Sequence, residues 1–299
     1  MHSCGLWATR FSILVGDNMI IYVNGRLVSA GEYVLSPLDH GFLYGHGLFE
    51  TMRAYNGRIF RLEDHLQRLE TAAVLLNWPE LPGRLELSDA INSVLKHNDL
   101  CNASVRLTLS RGIGAPRPDA ASCGQLTVAV FALPLPPSLP AEGWRVATVK
   151  LRRNLSSPLV RIKSANYLDN ILAKAEAKRL GAHEALMLNT DGMVAEGSMS
   201  NIFLVKSGRI VTPDDDSGIL LGITRQIVIE LARNAGIPVD IRQVKPEELA
   251  GADEIFLTSS IMEVIPVAAL DGRPIGDGLA PGLLTLKIAQ LYREFAQKE

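Results

Sequence analysis

A proline-rich segment near the middle of the chain constrains its fold more than any other feature. Residues 133–143, LPLPPSLPAEG, hold four prolines. Proline fixes φ and lacks a backbone N–H, so this run cannot continue a helix or an interior strand. Each flank is long enough to bury a core of its own. The sequence therefore predicts a small domain at 19–132 and a larger domain at 144–299, joined by a linker at 133–143.

Tight-turn signals and alternating apolar residues recur on both sides of this linker. Asn24-Gly25 and Asn56-Gly57 each separate two apolar runs, a pattern typical of β-hairpins. Between Leu62 and Leu76, apolar residues recur at spacings of four and three, which places them on one helix face. Further helices are predicted near 87–97, 167–180, 224–236 and 282–297, and strands near 105–109, 126–131, 145–151, 184–188, 202–206, 209–211, 254–257 and 264–268. The pattern predicts an α+β fold with mixed sheets and helices in each domain.

Composition narrows the class of partner. The 30 basic and 32 acidic residues give a net charge of −2 and form no long block of one sign, which argues against a nucleic-acid partner. No apolar run reaches the ~20 residues that span a bilayer. Cys4, Cys101 and Cys123 lie far apart and form no metal-ligand or disulfide pattern. We expect a cytoplasmic protein with a small-molecule partner, without metal, membrane or nucleic-acid binding.

The first 18 residues, MHSCGLWATRFSILVGDN, are a separate case. They lack the basic start and the long apolar core of a secretory signal. Met19 opens the first clear strand. Residues 1–18 are therefore expected to be an extension outside the fold.

Lys163 is a candidate for covalent chemistry. It lies in LVRIKSANYLDN, just before a predicted helix and between apolar residues. A lysine that forms a Schiff base must spend time neutral, and partial burial favours the neutral amine. Taken alone, Lys163 also fits an ordinary solvated lysine.

Glu196 opens EGSMSNIF, where a carboxylate and a small polar turn lead into a strand. A carboxylate beside a pyridine nitrogen keeps that nitrogen protonated and makes the ring an electron sink. The alternative is an exposed turn ahead of a strand.

Three further segments suit an anion. The run GILLGITR, residues 218–225, opens a helix whose first amides and Thr224 hydroxyl can bind phosphate, although an ordinary helix cap has the same pattern. Hydroxyls follow an apolar strand at Thr258-Ser259-Ser260. Arg68 follows an apolar stripe and can hold a phosphate at two points, or else remain a solvated helix arginine.

In this order, Lys163, EGSMSNIF, LLGITR and a hydroxyl turn before Pro266-Val267 resemble the signature of the class IV aminotransferases. The stretch SPLDHGFLYGHGLFETMRAYNGRIFRLEDHLQRL is similar to the small domain of that family. The resemblance extends from Met19 to the C-terminus. The family includes branched-chain aminotransferases, D-amino-acid aminotransferases and aminodeoxychorismate lyases. It implies the two-domain D-amino-acid-aminotransferase-like fold, the pyridoxal-phosphate (PLP) fold type IV.

The resemblance also implies a cofactor and roles at matching positions. Lys163 would bind PLP and then act as acid and base at the substrate Cα. Glu196 would pair with the pyridine nitrogen, and Tyr167 would lie near the ring oxygen. The residues implied at the phosphate are Arg68, Ile223, Thr224 and Ser260. Family members are typically dimers or larger, so a homodimer or higher homo-oligomer is expected.

Substrate positions resemble more than one branch of the family. Tyr44 and Phe49 fit the branched-chain enzymes, whereas Thr51 and the TSSIME turn are similar to the lyases. Arg117 matches the carboxylate-binding arginine of D-amino-acid aminotransferases, although Asp119 replaces a nearby histidine. Arg53, Arg106, Arg111 and Arg117 are candidate carboxylate clamps. The predicted substrate-binding set is Tyr44, Phe49, Arg53, Arg106, Arg117 and Ser259.

The leading hypothesis is a PLP-dependent transaminase that moves an amino group between an amino acid, of branched-chain or D type, and a 2-oxo acid. The alternative is 4-amino-4-deoxychorismate lyase, which releases pyruvate and 4-aminobenzoate. A third hypothesis is a non-catalytic relative that binds PLP or another ligand.

Overall fold

The computed structural model describes residues 19–136, 142–278 and 280–299. The chain divides into two compact units between residues 136 and 137, a position inside the proline-rich segment. The predicted extension at 1–18 and residues 137–141 of the predicted linker lie outside the described residues.

The first unit is built on a sheet that, over its described residues, has six strands in the order β2-β1-β6-β5-β3-β4. Each neighbouring pair is antiparallel. The elements in chain order are β1 (Ile20–Val23), β2 (Arg26–Ser29), α1 (His40–Tyr44), β3 (Gly47–Tyr55), β4 (Arg58–Ile59), α2 (Leu62–Leu75), α3 (Arg84–His97), β5 (Ala103–Ser110) and β6 (Thr127–Pro134).

Both predicted hairpins are confirmed. Asn24 and Gly25 have φ values of 46° and 85°, and Asn56 and Gly57 have 51° and 80°. A two-residue turn of this kind needs positive φ at both positions, which asparagine and glycine tolerate best. The turns fix the pairing of β1 with β2 and of β3 with β4.

The two faces of the first sheet differ in polarity. Along β5, Val105, Leu107 and Leu109 are fully buried, whereas Arg106 and Thr108 are half-buried. Since successive side chains of a strand point to opposite faces, one face is apolar and the other is polar. Buried residues of α2 and α3 contribute to the same apolar core. The polar face carries several predicted substrate residues.

The second unit contains a larger mixed sheet, ordered β12-β11-β10-β13-β14-β7-β8-β9 with β15 paired to β14 in its described part. The parallel pairs are β7 with β8, β7 with β14, and β11 with β12. Its elements are β7 (Trp144–Arg153), α4 (Leu168–Arg179), β8 (Glu184–Asn189), β9 (Val194–Gly197), β10 (Asn201–Lys206), β11 (Arg209–Thr212), α5 (Ile223–Asn234), β12 (Val239–Ile241), α6 (Pro246–Ala250), β13 (Glu254–Ser259), β14 (Glu263–Leu270), β15 (Arg273–Pro274) and α7 (Leu283–Lys298).

Several strands of this sheet are largely buried on both faces. Every residue of β8 and β9 is buried, which is typical of strands covered on two sides. Phe203 on β10 and Phe256 on β13 face each other, with ring centroids 4.8 Å apart and no exposed surface. Burial of each ring stabilises the unit by about 2 kcal/mol.

The structure adds elements that the sequence pattern did not predict. Helix α1 is five residues long, too short to show periodicity, and the Asp39 carboxylate caps it by accepting from the Gly41 amide. Strand β9 was also not predicted. The interpretation of Glu196 as part of an exposed polar turn is wrong, because Glu196 lies within β9 and its side chain is buried.

Among the described residues, no helix combines the length and the apolar character needed to cross a membrane.

Candidate active site

The residues predicted for the site are divided between the two units. Those in the second unit are Lys163, Tyr167, Glu196, Ile223, Thr224, Ser259 and Ser260. Those in the first unit are Tyr44, Phe49, Arg53, Arg68, Arg106 and Arg117.

Glu196 is the best-anchored of these residues. It is 5% exposed. Its Oε2 atom accepts a hydrogen bond from the Leu220 amide at 3.0 Å and another from Asn201 Nδ2 at 3.2 Å. Its Oε1 atom lies 3.0 Å from Nη2 of Arg153, in an ion pair whose arginine side chain is 11% exposed. Two strands and a loop therefore fix one carboxylate.

The charge of Glu196 depends on two opposing effects. Burial raises the pKa of the Glu196 carboxyl to about 7, although the Arg153 guanidinium and the Leu220 amide act to lower it. An ionised carboxylate has about four acceptor positions, and the three donors described above leave one for a further donor. A protonated ring nitrogen fits that position chemically, because it supplies both a donor and a positive charge.

Lys163 and Tyr167 precede α4 in the same unit. The Lys163 side chain is half-buried, and its Nζ atom lies 5.5 Å from the centroid of the Tyr167 ring. The positive charge of Lys163 also acts to lower the pKa of Glu196. The structure therefore brings the predicted amine, phenol and carboxylate into one part of the second unit.

The N-terminus of α5 is held beside Glu196. Asn201 Nδ2 donates to the Leu220 carbonyl at 2.8 Å as well as to Glu196. Gly222, the N-cap of α5, packs so closely that an added Cβ would lie 2.0 Å from Asn201 Oδ1. A larger residue at this position would displace the Asn201 side chain. The first amides of α5, at Ile223 and Thr224, have no acceptor within the helix and suit an anion.

Hydroxyl groups lie next to this helix terminus along the sheet. Asn201 pairs with Thr258, so Ser259, the last residue of β13, and Ser260 after it lie near the start of β10. The Ser259 hydroxyl accepts from the Met262 amide at 3.2 Å. The buried hydroxyls of Ser200 and Thr258 have no hydrogen-bond partner among the described residues. Buried polar atoms rarely stay unpaired, so a polar ligand suits this region.

In the first unit, Arg68 is bound to a buried carboxylate. Its Nε and Nη2 atoms donate to Glu50 at 2.8 and 2.6 Å, and Nδ1 of His65 lies 2.7 Å from the same carboxylate. Burial alone would raise the pKa of Glu50, but Arg68 and His65 outweigh it and lower that pKa to about 2. The two-point geometry predicted for a phosphate is here formed with Glu50.

Phe49, Arg53 and Arg106 lie on the polar face of the first sheet. The Arg106 guanidinium carbon is 3.5 Å from the centroid of the Phe49 ring, and Arg106 Nε donates to the Thr108 hydroxyl at 3.2 Å. Arg53 lies over the Tyr55 ring at 4.7 Å. Pairing of β3 with β5 places these residues on neighbouring strands. Two cations held over aromatic rings suit the recognition of a carboxylate.

Tyr44 and Arg117 lie elsewhere in the first unit. Tyr44 ends α1, is 37% exposed and contacts the ring of His40 edge-on at 5.0 Å. The Arg117 side chain is 70% exposed, and within the described residues its ion pair is with Asp119 at 3.2 Å. Unlike Phe49 and Arg106, these two side chains are not in contact with another predicted substrate residue among the described contacts.

Several residues that contact predicted site residues within their own unit were not themselves predicted. Glu50 could have been found, because it follows Leu48 and precedes Met52 in the apolar phase of β3, where a carboxylate needs a partner. His65 lies three residues before Arg68 and so on the same helix face. The pairing of Arg153 with Glu196 was not predicted, since the two residues are distant in sequence. No group of three His, Cys, Asp or Glu side chains suited to a metal occurs among the described residues.

Comparisons with known proteins identify the family. The family model described as amino-transferase class IV matches residues 47–270. A Methanocaldococcus jannaschii protein with the provisional name branched-chain-amino-acid aminotransferase is 39% identical over 94% of this chain and 97% of its own length. The aminodeoxychorismate lyase of Bacillus subtilis is 38% identical over 92% and 94%, and the D-alanine aminotransferase of Bacillus licheniformis 34% over 90% and 94%. The chain belongs to the class IV aminotransferases.

A solved structure supports the same conclusion. The branched-chain amino acid aminotransferase of Thermobaculum terrenum, in its PLP form, matches with a TM-score of 0.83 and 30% identity. The match covers 94% of this chain and 95% of that chain. The predicted fold class is confirmed, and the chain is a PLP-dependent enzyme.

The raised pKa of Glu196 predicts a pH-dependent stability. Between pH 4.5 and about 7 the folded cofactor-free protein binds this proton more tightly than the unfolded chain does, so the contribution of Glu196 to stability falls as pH rises. In urea unfolding, the stability of the wild type relative to Glu196→Gln should fall by up to about 3 kcal/mol between about pH 5 and about pH 8. A difference that rises with pH contradicts this prediction. Glu230→Gln, at an exposed glutamate, is the control.

The buried cluster of Glu50, His65 and Arg68 predicts that loss of the Glu50 charge destabilises the first unit. Glu50→Gln removes one charge of a buried ion pair and leaves Arg68 uncompensated, which should lower the free energy of unfolding by roughly 3 kcal/mol. Native-state hydrogen exchange in α2 measures the loss. Glu63→Gln is the matched control, because Glu63 pairs with Arg84 at the surface, where an ion pair contributes little. Equal effects of the two substitutions would show that the buried pair is not stabilising.

Proposed function

We propose that this enzyme is a transaminase that moves an amino group between an amino acid and a 2-oxo acid, and that Lys163 carries its cofactor. The observation that carries the proposal is the buried Glu196 carboxylate, held by Arg153 and Asn201 with one acceptor position remaining. A lysine and the N-terminus of a helix lie in the same unit. This combination suits a phosphorylated pyridine better than it suits a cofactor-free reaction.

Different residues of the second unit would bind different parts of PLP. The Lys163 amine would form the covalent bond, and Glu196 would accept from the ring nitrogen. Tyr167 would lie near the ring oxygen. The phosphate would be bound by the α5 amides, at Ile223 and Thr224, and by the Ser260 hydroxyl. For Arg68, phosphate binding remains a prediction from the family resemblance.

Bound PLP supplies an electron sink for the pair of electrons left when the substrate Cα loses its proton. Lys163, released from its covalent bond, would accept that proton as the neutral amine and return it to an adjacent carbon. Glu196 would hold the proton on the ring nitrogen, which requires the ionised carboxylate. Arg153 favours that form of Glu196 by its charge.

Carboxylate recognition is proposed for the polar face of the first sheet. Arg53 and Arg106 present guanidinium groups on neighbouring strands, and Phe49 supports one of them. Amino acids and 2-oxo acids both carry a carboxylate, so one binding arrangement serves both substrates. Of the remaining predicted substrate residues, Tyr44, Arg117 and Ser259 stay predictions.

Aminodeoxychorismate lyase is the second candidate function. The Bacillus subtilis enzyme of that name is 38% identical over nearly the whole of both chains, and Thr51 and the TSSIME turn are similar to that branch. The same lysine, carboxylate and phosphate residues would serve a reaction that expels a group instead of accepting a second substrate.

Activity measurements separate these reactions. With D- and L-amino acids and a 2-oxo acid as acceptor, we expect amino transfer by the wild type and a loss of at least about 100-fold in Lys163→Ala, which lacks the acid and base. Lys206→Ala is the control for removal of a lysine in the same unit, because the Lys206 side chain is 57% exposed and pairs with Asp253 at the surface. If the enzyme releases pyruvate from aminodeoxychorismate and transfers no amino group, the transaminase proposal is wrong and the lyase is the function. Failure of borohydride to fix PLP to Lys163 would favour a non-catalytic relative.

We also propose that the enzyme is a homo-oligomer that works in the cytoplasm. Leu168, Ile171 and Leu172 are 65%, 59% and 51% exposed, and their spacing places them on one face of α4. Such an apolar stripe favours burial against another chain. The described cysteines, Cys101 and Cys123, are free thiols, which is consistent with a reducing compartment.

A single charge on this stripe tests self-association. Ile171→Glu should convert an oligomer to a smaller species, because a carboxylate in an apolar interface loses its hydration. Light scattering during size-exclusion chromatography measures the mass. Leu85→Glu on α3, at a residue that is 76% exposed, is the control. An unchanged mass for Ile171→Glu would exclude this stripe from the interface.

A further inference from the structure

Ser198 is held by a second buried glutamate of the second unit, distinct from Glu196. The Ser198 amide donates to Oε1 of Glu184 at 3.2 Å, and the Ser198 hydroxyl donates to the same oxygen. The Ala185 amide donates to it as well, at 2.7 Å. Glu184 and Ser198 are both fully buried. Three donors, one from β8 and two from the turn after β9, thus converge on one oxygen.

Helix α4 also contacts the same serine. Asn170 Nδ2 donates to the Ser198 carbonyl at 2.8 Å. Lys174, one helical turn later on the same face, places Nζ 3.5 Å from Oε2 of Glu184 and donates to the His183 carbonyl at 2.5 Å. The amide, hydroxyl and carbonyl of Ser198 are therefore all bound to side chains from β8 and α4.

These contacts join the two segments that carry the reacting groups. Glu196 lies two residues before Ser198 in the chain, and Tyr167 is the residue from which α4 begins. Movement of α4 relative to β9 would change the distance of Lys163 and Tyr167 from Glu196. The Glu184 carboxylate, together with Asn170 and Lys174, opposes such movement.

We propose that Glu184 is a positioning residue that couples α4 to the turn after Glu196 and so fixes Glu196 relative to Lys163. The role rests on the proposed function, in which both residues contact PLP. A neutral side chain could accept the hydrogen bonds of Ser198 equally well. A fully buried carboxylate loses its hydration, so its presence calls for a further role. The negative charge of Glu184 attracts Lys174, and Lys174 lies on α4, the helix whose position relative to β9 is at issue.

Glu184→Gln is the main test because it keeps the volume of the side chain. The amide oxygen can still accept from Ser198, but the amide nitrogen meets Lys174 as a second donor. Ser198→Ala is the second variant; it removes one bond and leaves the Glu184 pair with Lys174. Asp271→Asn is a matched control, because Asp271 accepts from the amide and hydroxyl of Thr148 at 2.6 and 2.8 Å, within the same unit.

The first measurement uses the PLP-loaded enzyme. Glu184→Gln should lower kcat about tenfold or more with a smaller change in KM, because misplaced groups slow the chemical step. It should also shift the pH titration of the cofactor absorbance and speed PLP loss on dialysis. Ser198→Ala should change the same quantities in the same direction but by a smaller amount. Asp271→Asn should leave kcat, the absorbance titration and the rate of PLP loss near the wild-type values.

The second measurement, hydrogen exchange, does not depend on activity. In Glu184→Gln, protection should fall together at residues 196–201 and 164–170, whereas Asp271→Asn should affect neither. Loss of protection at 196–201 alone, or an unshifted titration in both Glu184→Gln and Ser198→Ala, overturns the positioning role. If the wild type binds no PLP at Lys163, the proposed function fails, while exchange at the two segments still decides whether Glu184 couples them.

Discussion

The ion pair between Arg153 and Glu196 is the interaction on which the proposed chemistry of the second unit depends. Burial by itself favours the protonated carboxyl, and a protonated Glu196 cannot accept from its three present donors and also from a ring nitrogen. Arg153 at the end of β7 supplies the opposing charge. The Leu220 amide and Asn201 then orient the second oxygen and, through Gly222, place the start of α5 beside it. One carboxylate thereby links the strands, the loop and the helix terminus that are proposed to bind a pyridine phosphate.

The first unit also contains a buried glutamate, but there the surrounding charges lower its pKa instead of leaving it raised. Glu50 lies in the apolar phase of β3, but Arg68 and His65 keep it ionised, so the pair behaves as a fixed structural element. The opposite face of the same sheet carries Phe49, which is buried, and Arg53 and Arg106, which remain partly accessible. An antiparallel sheet with one apolar and one polar face is well suited to this division, because alternate residues of a single strand can serve packing and recognition.

Local patterns predicted most of the fold. The Asn24-Gly25 and Asn56-Gly57 turns and the apolar stripe of α2 depend on neighbouring residues, and the structure confirms them. The candidate roles of Lys163 and Glu196 came from the order of motifs along the chain. Partners could not be predicted in the same way: Arg153 meets Glu196, and Glu184 meets Ser198, only because β7, β8 and β9 are adjacent in the sheet. A short helix such as α1 has too few residues for periodicity to show.

The two hydrogen bonds from Arg68 to Glu50 have a further consequence for any anion that this arginine binds. A free arginine side chain loses roughly 2 kcal/mol of rotamer entropy when it is immobilised. Glu50 holds the Arg68 guanidinium at two points within the folded first unit, so much of that ordering occurs during folding. An arriving anion would meet a donor group whose plane and direction are already set, and tight binding would then need fewer contacts.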